Sequence, residues 1–220
     1  MYALDIAFTG WLNSIAGRNA TLDFLMVSIS TVGVPILVFV VIVQWWFPRP
    51  GPSTRHVLLA AGFSFLLGLA INQFILLFVH RLRPYHGGIT HLLIAPSADY
   101  SFPSDHATAS FAIAATFILH RMRLCGLAFA IAALLMIFSR VYVGTHYVSD
   151  VFGGALTGIV AAAMVRLMYR EGTRVDRLCV PITSSALISR RNRLTSARHD
   201  RAAGFRTGRL GRALQVEEPA

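Results

Sequence analysis

Long apolar runs without charge alternate with short polar segments along most of the chain. The runs 24–47 and 57–79 are each long enough for a helix that crosses the apolar core of a bilayer, which is roughly 30 Å thick. The runs 107–119, 124–139 and 151–165 are shorter, so each needs flanking polar residues to complete a crossing. The pattern predicts an all-α integral membrane protein, built as a helical bundle of five to six membrane segments.

The region before the first run predicts a separate element. Residues 1–20 carry Tyr2 and Trp11, which suit the interface between membrane and water, and they lack the basic cluster that opens a signal peptide. We therefore predict a short interfacial helix over residues 1–20, and whether it spans the membrane stays open. Residues 21–170 then form the helical bundle.

The arginine-rich end of the chain carries a third prediction. Residues 171–220 hold ten arginines and five acidic residues without a sustained apolar period, which predicts a largely disordered cytoplasmic tail. Such a tail sets membrane topology, and it can also bind the anionic lipids of the inner leaflet. A nucleic-acid partner fits poorly beside five membrane spans, so we predict none.

Composition and charge exclude a soluble domain and suggest an orientation. With 55% hydrophobic residues, 14% charged residues and a mean hydropathy of +0.60, the chain has more apolar surface than one water-soluble core can hide. All 20 basic residues are arginine. Sixteen of them lie in the loops after the first and third runs or beyond the fifth, and the positive-inside rule assigns these regions to the cytoplasm. Residues 80–106 and 140–150 then share the outer face.

Polar residues in the first of these outer segments suggest a phosphate site. Arg83 follows the second run and precedes a proline. Ser104 is the expected N-cap of the third helix, whose free N–H groups suit a phosphate. We expect Asp105 to favour this helix terminus through the helix dipole, and His106 to donate a proton to a leaving oxygen.

The second outer segment adds a cation and a histidine–carboxylate pair. The guanidinium of Arg140 can bind two phosphate oxygens. If His146 and Asp150 lie on the first turn of the fifth helix, their i, i+4 spacing puts them on one face. The carboxylate then accepts one imidazole N–H and leaves the other nitrogen free as a nucleophile or base. The cysteines Cys125 and Cys179 lack metal-site spacing, and we predict neither a metal nor a cofactor.

Together these segments resemble the signature of the type 2 phosphatidic acid phosphatase (PAP2) superfamily, which consists of an RP element, a PSxH element and SR-x5-H-x3-D. Arg83-Pro84, residues 103–106 and residues 139–150 match the three elements in order, and the resemblance covers about residues 20–170. The sequence SFPSDHA and the small number of predicted membrane segments look most like the bacterial undecaprenyl-diphosphatase branch. The resemblance implies a PAP2-like bundle in the bacterial cytoplasmic membrane, with its site on the periplasmic face and its C-terminus in the cytoplasm.

The same resemblance implies roles for individual residues. His146 attacks the terminal phosphorus of a polyprenyl or phospholipid phosphate and forms a phosphohistidine, Asp150 orients it, and His106 protonates the leaving group. Three residues hold the phosphoryl oxygens: Arg83, Ser104 and Arg140. Many relatives carry a lysine seven residues before the arginine of the RP element, where this chain has Leu76. As a hypothesis, Arg81 or His80 partly replaces that lysine.

The resulting functional prediction is a phosphatase that removes the terminal phosphate of undecaprenyl diphosphate and recycles the carrier lipid for cell-wall synthesis. Within the same chemistry, the sequence leaves open a phosphatidylglycerophosphate or phosphatidate phosphatase and a lipid phosphotransferase. Two other classes are a small transporter with a histidine–aspartate metal centre and a non-catalytic membrane scaffold. The transporter fits less well because no predicted span carries a charged residue at its middle.

Overall fold

The computed structural model describes residues 2–46, 51–174 and 176, and in this part of the chain the fold is all-helical. This confirms the predicted fold class. One 3₁₀ turn covers Pro84–Gly87. The α-helices are α1 (Tyr2–Asn13), α2 (Ala20–Val43), α3 (Pro52–Leu76), α4 (Asp105–Leu119), α5 (Arg123–Tyr142) and α6 (Val148–Met168). Four of them, namely α2, α3 from Ser53 onward, α5 and α6, are long and apolar enough to cross a membrane.

Helix α4 is the shortest of the five bundle helices and lies at the centre, packed against α3, α5 and α6. Its 15 residues span only about 22 Å. More than half of them are buried, and most of the buried ones are alanine, serine or threonine. Small residues let neighbouring helix backbones approach closely, which explains why a helix with so few large apolar residues occupies the core.

Helices α4 and α6 approach each other closely through two glycines of α6. A Cβ atom on Gly154 would collide with the carbonyl oxygen of Ser104, at the start of α4. One on Gly158 would collide with the carbonyl oxygen of Thr108 and would lie 2.8 Å from the nitrogen of Ala112. Both obstacles are backbone atoms, so α4 itself would have to move. The Gly-x-x-x-Gly spacing therefore allows the backbones of α4 and α6 to pack directly against each other.

We expect Gly158→Ala to lower the free energy of unfolding by about 1–3 kcal/mol, because the added methyl group overpacks a backbone contact. Gly62→Ala on α3 is the matched control, since a Cβ there meets nothing within 4 Å. Thermal unfolding of the detergent-solubilised proteins measures both. Equal melting temperatures for the two variants would contradict this description of the α4–α6 contact.

The turn between α4 and α5 contains a backbone conformation that arginine rarely adopts. Arg121 has a φ of +61° and is the one non-glycine residue with positive φ in the described part of the chain. Its N–H donates to the carbonyl of Ile118, and the N–H of Met122 donates to the carbonyl of Phe117, as in a Schellman motif. Glycine usually occupies this position, and a side chain there costs roughly 1–2 kcal/mol.

Helix α1 lies against α5 and α6 and presents opposite faces of different character. Thr9 and Asn13 are buried, and the Asn13 amide donates to the carbonyls of His91 and Tyr142. Tyr2, Phe8 and Trp11 on the other side are exposed. This amphipathic pattern is consistent with the predicted interfacial helix, which remains a prediction.

The chain divides into the units Met1–Glu171 and Gly172–Ala220, and the predicted tail lies almost entirely outside the described residues.

Candidate active site

Four helix ends meet around a cavity of about 260 Å³ at one end of the bundle. The end of α3, the start of α4, the end of α5 and the segment before α6 all contribute to its wall. The cavity therefore joins the two polar segments that the sequence assigns to one face, residues 80–106 and 140–150. It is lined by Gln73, Leu76, Arg83, Ser97, Asp99, Tyr100, Pro103, Asp105, His106, Arg140 and His146.

The imidazole of His146 is buried in the wall of this cavity with one nitrogen available for chemistry. Its Nδ1 lies 2.8 Å from the carbonyl oxygen of Ser101. Because a carbonyl only accepts hydrogen bonds, Nδ1 carries the proton and Nε2 carries the lone pair. Nε2 lies 3.2 Å from a guanidinium nitrogen of Arg83, which donates to it. This tautomer leaves the lone pair on Nε2, beside the guanidinium of Arg83.

Asp150 is fully buried and supports His146 by a different route from the one predicted. His146 precedes α6 rather than lying on its first turn, because Tyr147 is the N-cap residue. The carboxylate Oδ2 lies 3.8 Å from Nδ1 of His146, and it accepts hydrogen bonds from the Ser101 hydroxyl and the Tyr147 N–H. The predicted direct hydrogen bond is therefore replaced by a link through Ser101, whose hydroxyl binds Asp150 and whose carbonyl binds His146.

Two buried arginines carry positive charge into the cavity. The Arg83 guanidinium donates to the carbonyl oxygens of Asp99 and Thr145 at 2.8 and 3.1 Å, which fixes its position beside His146. Arg140 donates to the Ser30 hydroxyl at 2.6 Å, and its Nε is buried without a hydrogen-bond partner in the described part of the protein. Arg140 therefore retains a donor for a ligand oxygen.

The start of α4 forms the third side of the site. Ser104 is the N-cap residue, as predicted, but its side chain makes no capping hydrogen bond. Its Oγ is buried and has no hydrogen-bond partner among the described residues. His106 lines the cavity, while the Asp105 carboxylate accepts a hydrogen bond from the Asn72 amide at 2.7 Å. A hydroxyl without a partner at a helix N-terminus is suited to an anion.

The proposed substitutes for the family lysine lie away from the cavity. Arg81 donates to Asp5 and Asp150 at 2.6 and 2.7 Å and does not line the cavity. His80 is exposed and lies against the ring of Tyr100. The hypothesis that either residue replaces the lysine is therefore not supported by the geometry. Leu76 itself lines the cavity, so its wall is apolar at this position.

Sequence reasoning missed the residues that act through the backbone or from distant helices. Ser101 stands in the SFPSDHA segment, but its role depends on a carbonyl that no motif encodes. Asn72 was visible as a polar interruption of a span, whereas Ser30 and Asp5 had no signal, because their partners Arg140 and Arg81 are far away in sequence.

The buried site shifts the titration of His146. The pKa of His146 is lowered to about 4, chiefly by burial; Asp150 opposes this shift, and the charges of Arg140 and Arg83 add to it. His146 therefore stays neutral, and its Nε2 keeps its lone pair, throughout the physiological pH range. Burial also lowers the pKa of the Arg83 guanidinium, against nearby Tyr85 and Asp99, which raise it.

This shift predicts a pH dependence of stability. The unfolded chain binds a proton at position 146 near the ordinary pKa of 6.5, whereas the folded protein binds it only near 4. Between these values the unfolded state holds more protons, so the free energy of unfolding falls with falling pH, by at most about 1.4 kcal/mol per pH unit. We expect the melting temperature of His146→Gln to change less between pH 7 and pH 5 than that of the parent protein. An equal change in melting temperature for the two proteins would contradict the assignment of this pH dependence to His146.

Comparisons of the sequence and of the fold with known proteins agree with one another. Residues 57–174 match the family model described as PAP2 superfamily. Undecaprenyl-diphosphatase BcrC of Bacillus subtilis (strain 168) is 36% identical over 149 residues, which are 68% of this chain and 76% of that protein. The undecaprenyl-diphosphatase of Sulfolobus acidocaldarius is 32% identical over 162 residues, 70% of this chain and 75% of that protein. The crystal structure of a transmembrane PAP2 type phosphatidylglycerolphosphate phosphatase from Bacillus subtilis has the same fold, with a TM-score of 0.57 at 24% identity over 79% of this chain and 88% of that one.

Proposed function

The chain belongs to the PAP2 superfamily and is a membrane lipid phosphatase, and on that premise we propose that it removes the terminal phosphate of undecaprenyl diphosphate. The names of two relatives that match about two thirds of the chain support this substrate. The arginine distribution supports a cytoplasmic-membrane protein whose site faces outward, where the released monophosphate carrier is recycled.

In the proposed reaction, Nε2 of His146 attacks the terminal phosphorus and forms a phosphorus–nitrogen bond. The bond from phosphorus to the bridging oxygen breaks, and His106 in its imidazolium form gives a proton to that leaving oxygen. A water molecule then attacks the phosphohistidine, His106 takes a proton from it, and the phosphorus–nitrogen bond breaks to release inorganic phosphate. Three groups stabilise the charge on the equatorial oxygens: Arg83, Arg140 and the N-terminus of α4 with Ser104.

One observation carries this proposal: a neutral histidine presents its lone pair to a cavity in which two buried guanidinium groups and a helix N-terminus converge. A nucleophile beside cations suits a substrate that is a phosphate anion. Hydrolysis through a histidine needs no redox group, and the arginines supply the positive charge that a metal ion supplies in other phosphatases.

Substrate competition tests the proposal. Phosphate release from the purified full chain is measured side by side with undecaprenyl diphosphate, phosphatidylglycerophosphate and phosphatidate. We expect the highest kcat/KM for undecaprenyl diphosphate. A higher value for either phospholipid would replace the proposed substrate within the same chemistry, and no release from any of the three would contradict a phosphatase function.

We also propose that Arg81 is a positioning residue that acts through Asp150. Its guanidinium joins Asp150 to Asp5 on α1, so Arg81→Ala leaves a buried carboxylate without its cation. We expect kcat to fall about 10-fold to 100-fold, as when a hydrogen-bonded support of a functional histidine is lost, with little change in KM. Arg18→Ala, at an exposed position, is the matched control. A raised KM with unchanged kcat would instead mean that Arg81 binds substrate.

A further inference from the structure

A second polar cavity lies at the opposite end of the bundle from the catalytic residues. Its volume is about 270 Å³, and it is lined by His56, Leu119, His120, Arg121, Arg166 and Glu171. Along α3 alone, His56 lies about 25 Å from Gln73 in the wall of the catalytic cavity. The two cavities are therefore separate sites, one at each end of the same helices.

The charge of this second cavity is incompletely balanced. Nε2 of His120 is buried and has no hydrogen-bond partner in the part of the chain that the structure describes. Burial, followed by the nearby charge of Arg166 and by His56, lowers the pKa of His120 to about 4. The imidazole is therefore neutral, and the cavity holds two guanidinium groups against the single carboxylate of Glu171. It has room and positive charge for one monoanion.

Arg121 provides an independent indication that the cavity binds something. Its backbone adopts the left-handed conformation at a helix C-terminus, where glycine would fit without strain. Among the described residues, no other non-glycine residue has a positive φ. The side chain that this strained position presents lines the cavity. Strained backbone conformations are concentrated at ligand sites, and here the strain places a guanidinium group.

We propose that this cavity binds the phosphodiester headgroup of an anionic phospholipid. Arg121 and Arg166 would bind the phosphate oxygens, and the His120 imidazole would add a hydrogen bond. Glu171 offsets one positive charge, which favours a singly charged phosphodiester over a doubly charged phosphate. Basic pockets between membrane helices on the arginine-rich side are suited to such headgroups.

The apolar surroundings favour a lipid over a free anion. Leu119 lines the cavity and is 41% exposed, and Leu167 follows Arg166 along α6 and is 69% exposed. These side chains provide an apolar surface beside the charged pocket, where acyl chains can pack while the headgroup enters. A free phosphate would gain nothing from this surface.

Native mass spectrometry of the delipidated full chain in detergent tests the proposal, with phosphatidylglycerol, phosphatidylcholine and inorganic phosphate as probes. The diagnostic variant is Arg121→Gly, which removes the guanidinium while relieving the backbone strain. Arg123→Gln is the matched control, because it removes a nearby arginine, at the start of α5, that does not line the cavity. Thermal unfolding without lipid verifies that each variant is folded.

We expect Arg121→Gly to weaken phosphatidylglycerol binding about fivefold to tenfold, while Arg123→Gln leaves it unchanged. The melting temperature of Arg121→Gly without lipid should equal or exceed that of the parent protein. Equal lipid binding by Arg121→Gly and the parent, an equal loss in Arg123→Gln, or binding of inorganic phosphate as tight as that of phosphatidylglycerol would each overturn the proposal. None of these measurements depends on catalysis, so the headgroup site stands or fails separately from the phosphatase function.

Discussion

His146→Ala is expected to lower kcat by a factor of about 10⁴ or more, the scale seen when a catalytic nucleophile is removed. The expectation follows from the geometry of the ring. Nδ1 is bonded to the Ser101 carbonyl, so Nε2 is the nitrogen that we propose attacks the phosphate, and no second histidine occupies an equivalent place beside Arg83 in the described structure. His106 lines the same cavity from α4, where we propose that it transfers a proton.

The measurement is phosphate release from undecaprenyl diphosphate by the purified variant, together with its melting temperature. His86→Ala serves as the control, because His86 is exposed on the 3₁₀ turn and does not line the cavity. We expect this control to retain the parent's activity. His146→Ala protein that is folded and retains activity within about tenfold of the parent would exclude His146 as the nucleophile.

Substitution of Arg83 is expected to have the second largest effect. Its guanidinium donates to two backbone carbonyls, of Asp99 and Thr145, and to Nε2 of His146. A lysine has a single ammonium group and cannot reproduce this planar arrangement. We therefore expect both Arg83→Gln and Arg83→Lys to lower kcat/KM by a factor of about 10²–10³, the typical loss for a donor that stabilises transition-state charge.

The comparison between the two Arg83 variants separates charge from geometry. Activity of Arg83→Lys near that of the parent would mean that positive charge alone suffices and that the hydrogen-bond arrangement is unimportant. Activity of Arg83→Gln near that of the parent would mean that Arg83 does not contact the phosphoryl group. Arg18→Lys, at an exposed loop position, is the control for an arginine-to-lysine exchange in this chain.

The helices were predictable from the sequence because a membrane helix needs a long run without charge, and such runs are visible directly. The predicted runs all overlap α2 to α6, and the confirmed fold class follows from them. The residues at which the helices end were less predictable. The run 57–79 continues past Leu76, where α3 stops, because apolar residues alone do not indicate where a helix ends.

Several residues that line the cavity were predictable from the sequence, but the hydrogen bonds between the residues around it were not. Arg83, His106, Arg140 and His146 line one cavity, as expected if the two outer segments lie at the same end of the bundle. The support of His146 by the Ser101 carbonyl depends on the path of the loop before α4, which spacing rules cannot supply. Likewise, the i, i+4 rule assumes a helix, and His146 precedes one.

The ion pairs of Arg81 were not predictable for a similar reason. From the sequence it was a candidate replacement for the family lysine, close to the RP element. In the structure it is neutralised by Asp5 and Asp150, which come from α1 and α6. Contacts between residues about 70 positions apart arise from packing of the whole bundle, so the link from the N-terminal helix to Asp150, beside His146, became visible only in the fold.

Trapping of the phosphorylated protein tests the proposed reaction most directly. The full chain is mixed with undecaprenyl diphosphate labelled in its terminal phosphate, quenched within one turnover at alkaline pH, digested and examined by mass spectrometry. The proposed reaction predicts a phosphohistidine at His146 that disappears as inorganic phosphate accumulates, and no such adduct in His146→Ala. A label found on another residue, or full turnover with no phosphorylated protein at any time, would contradict it.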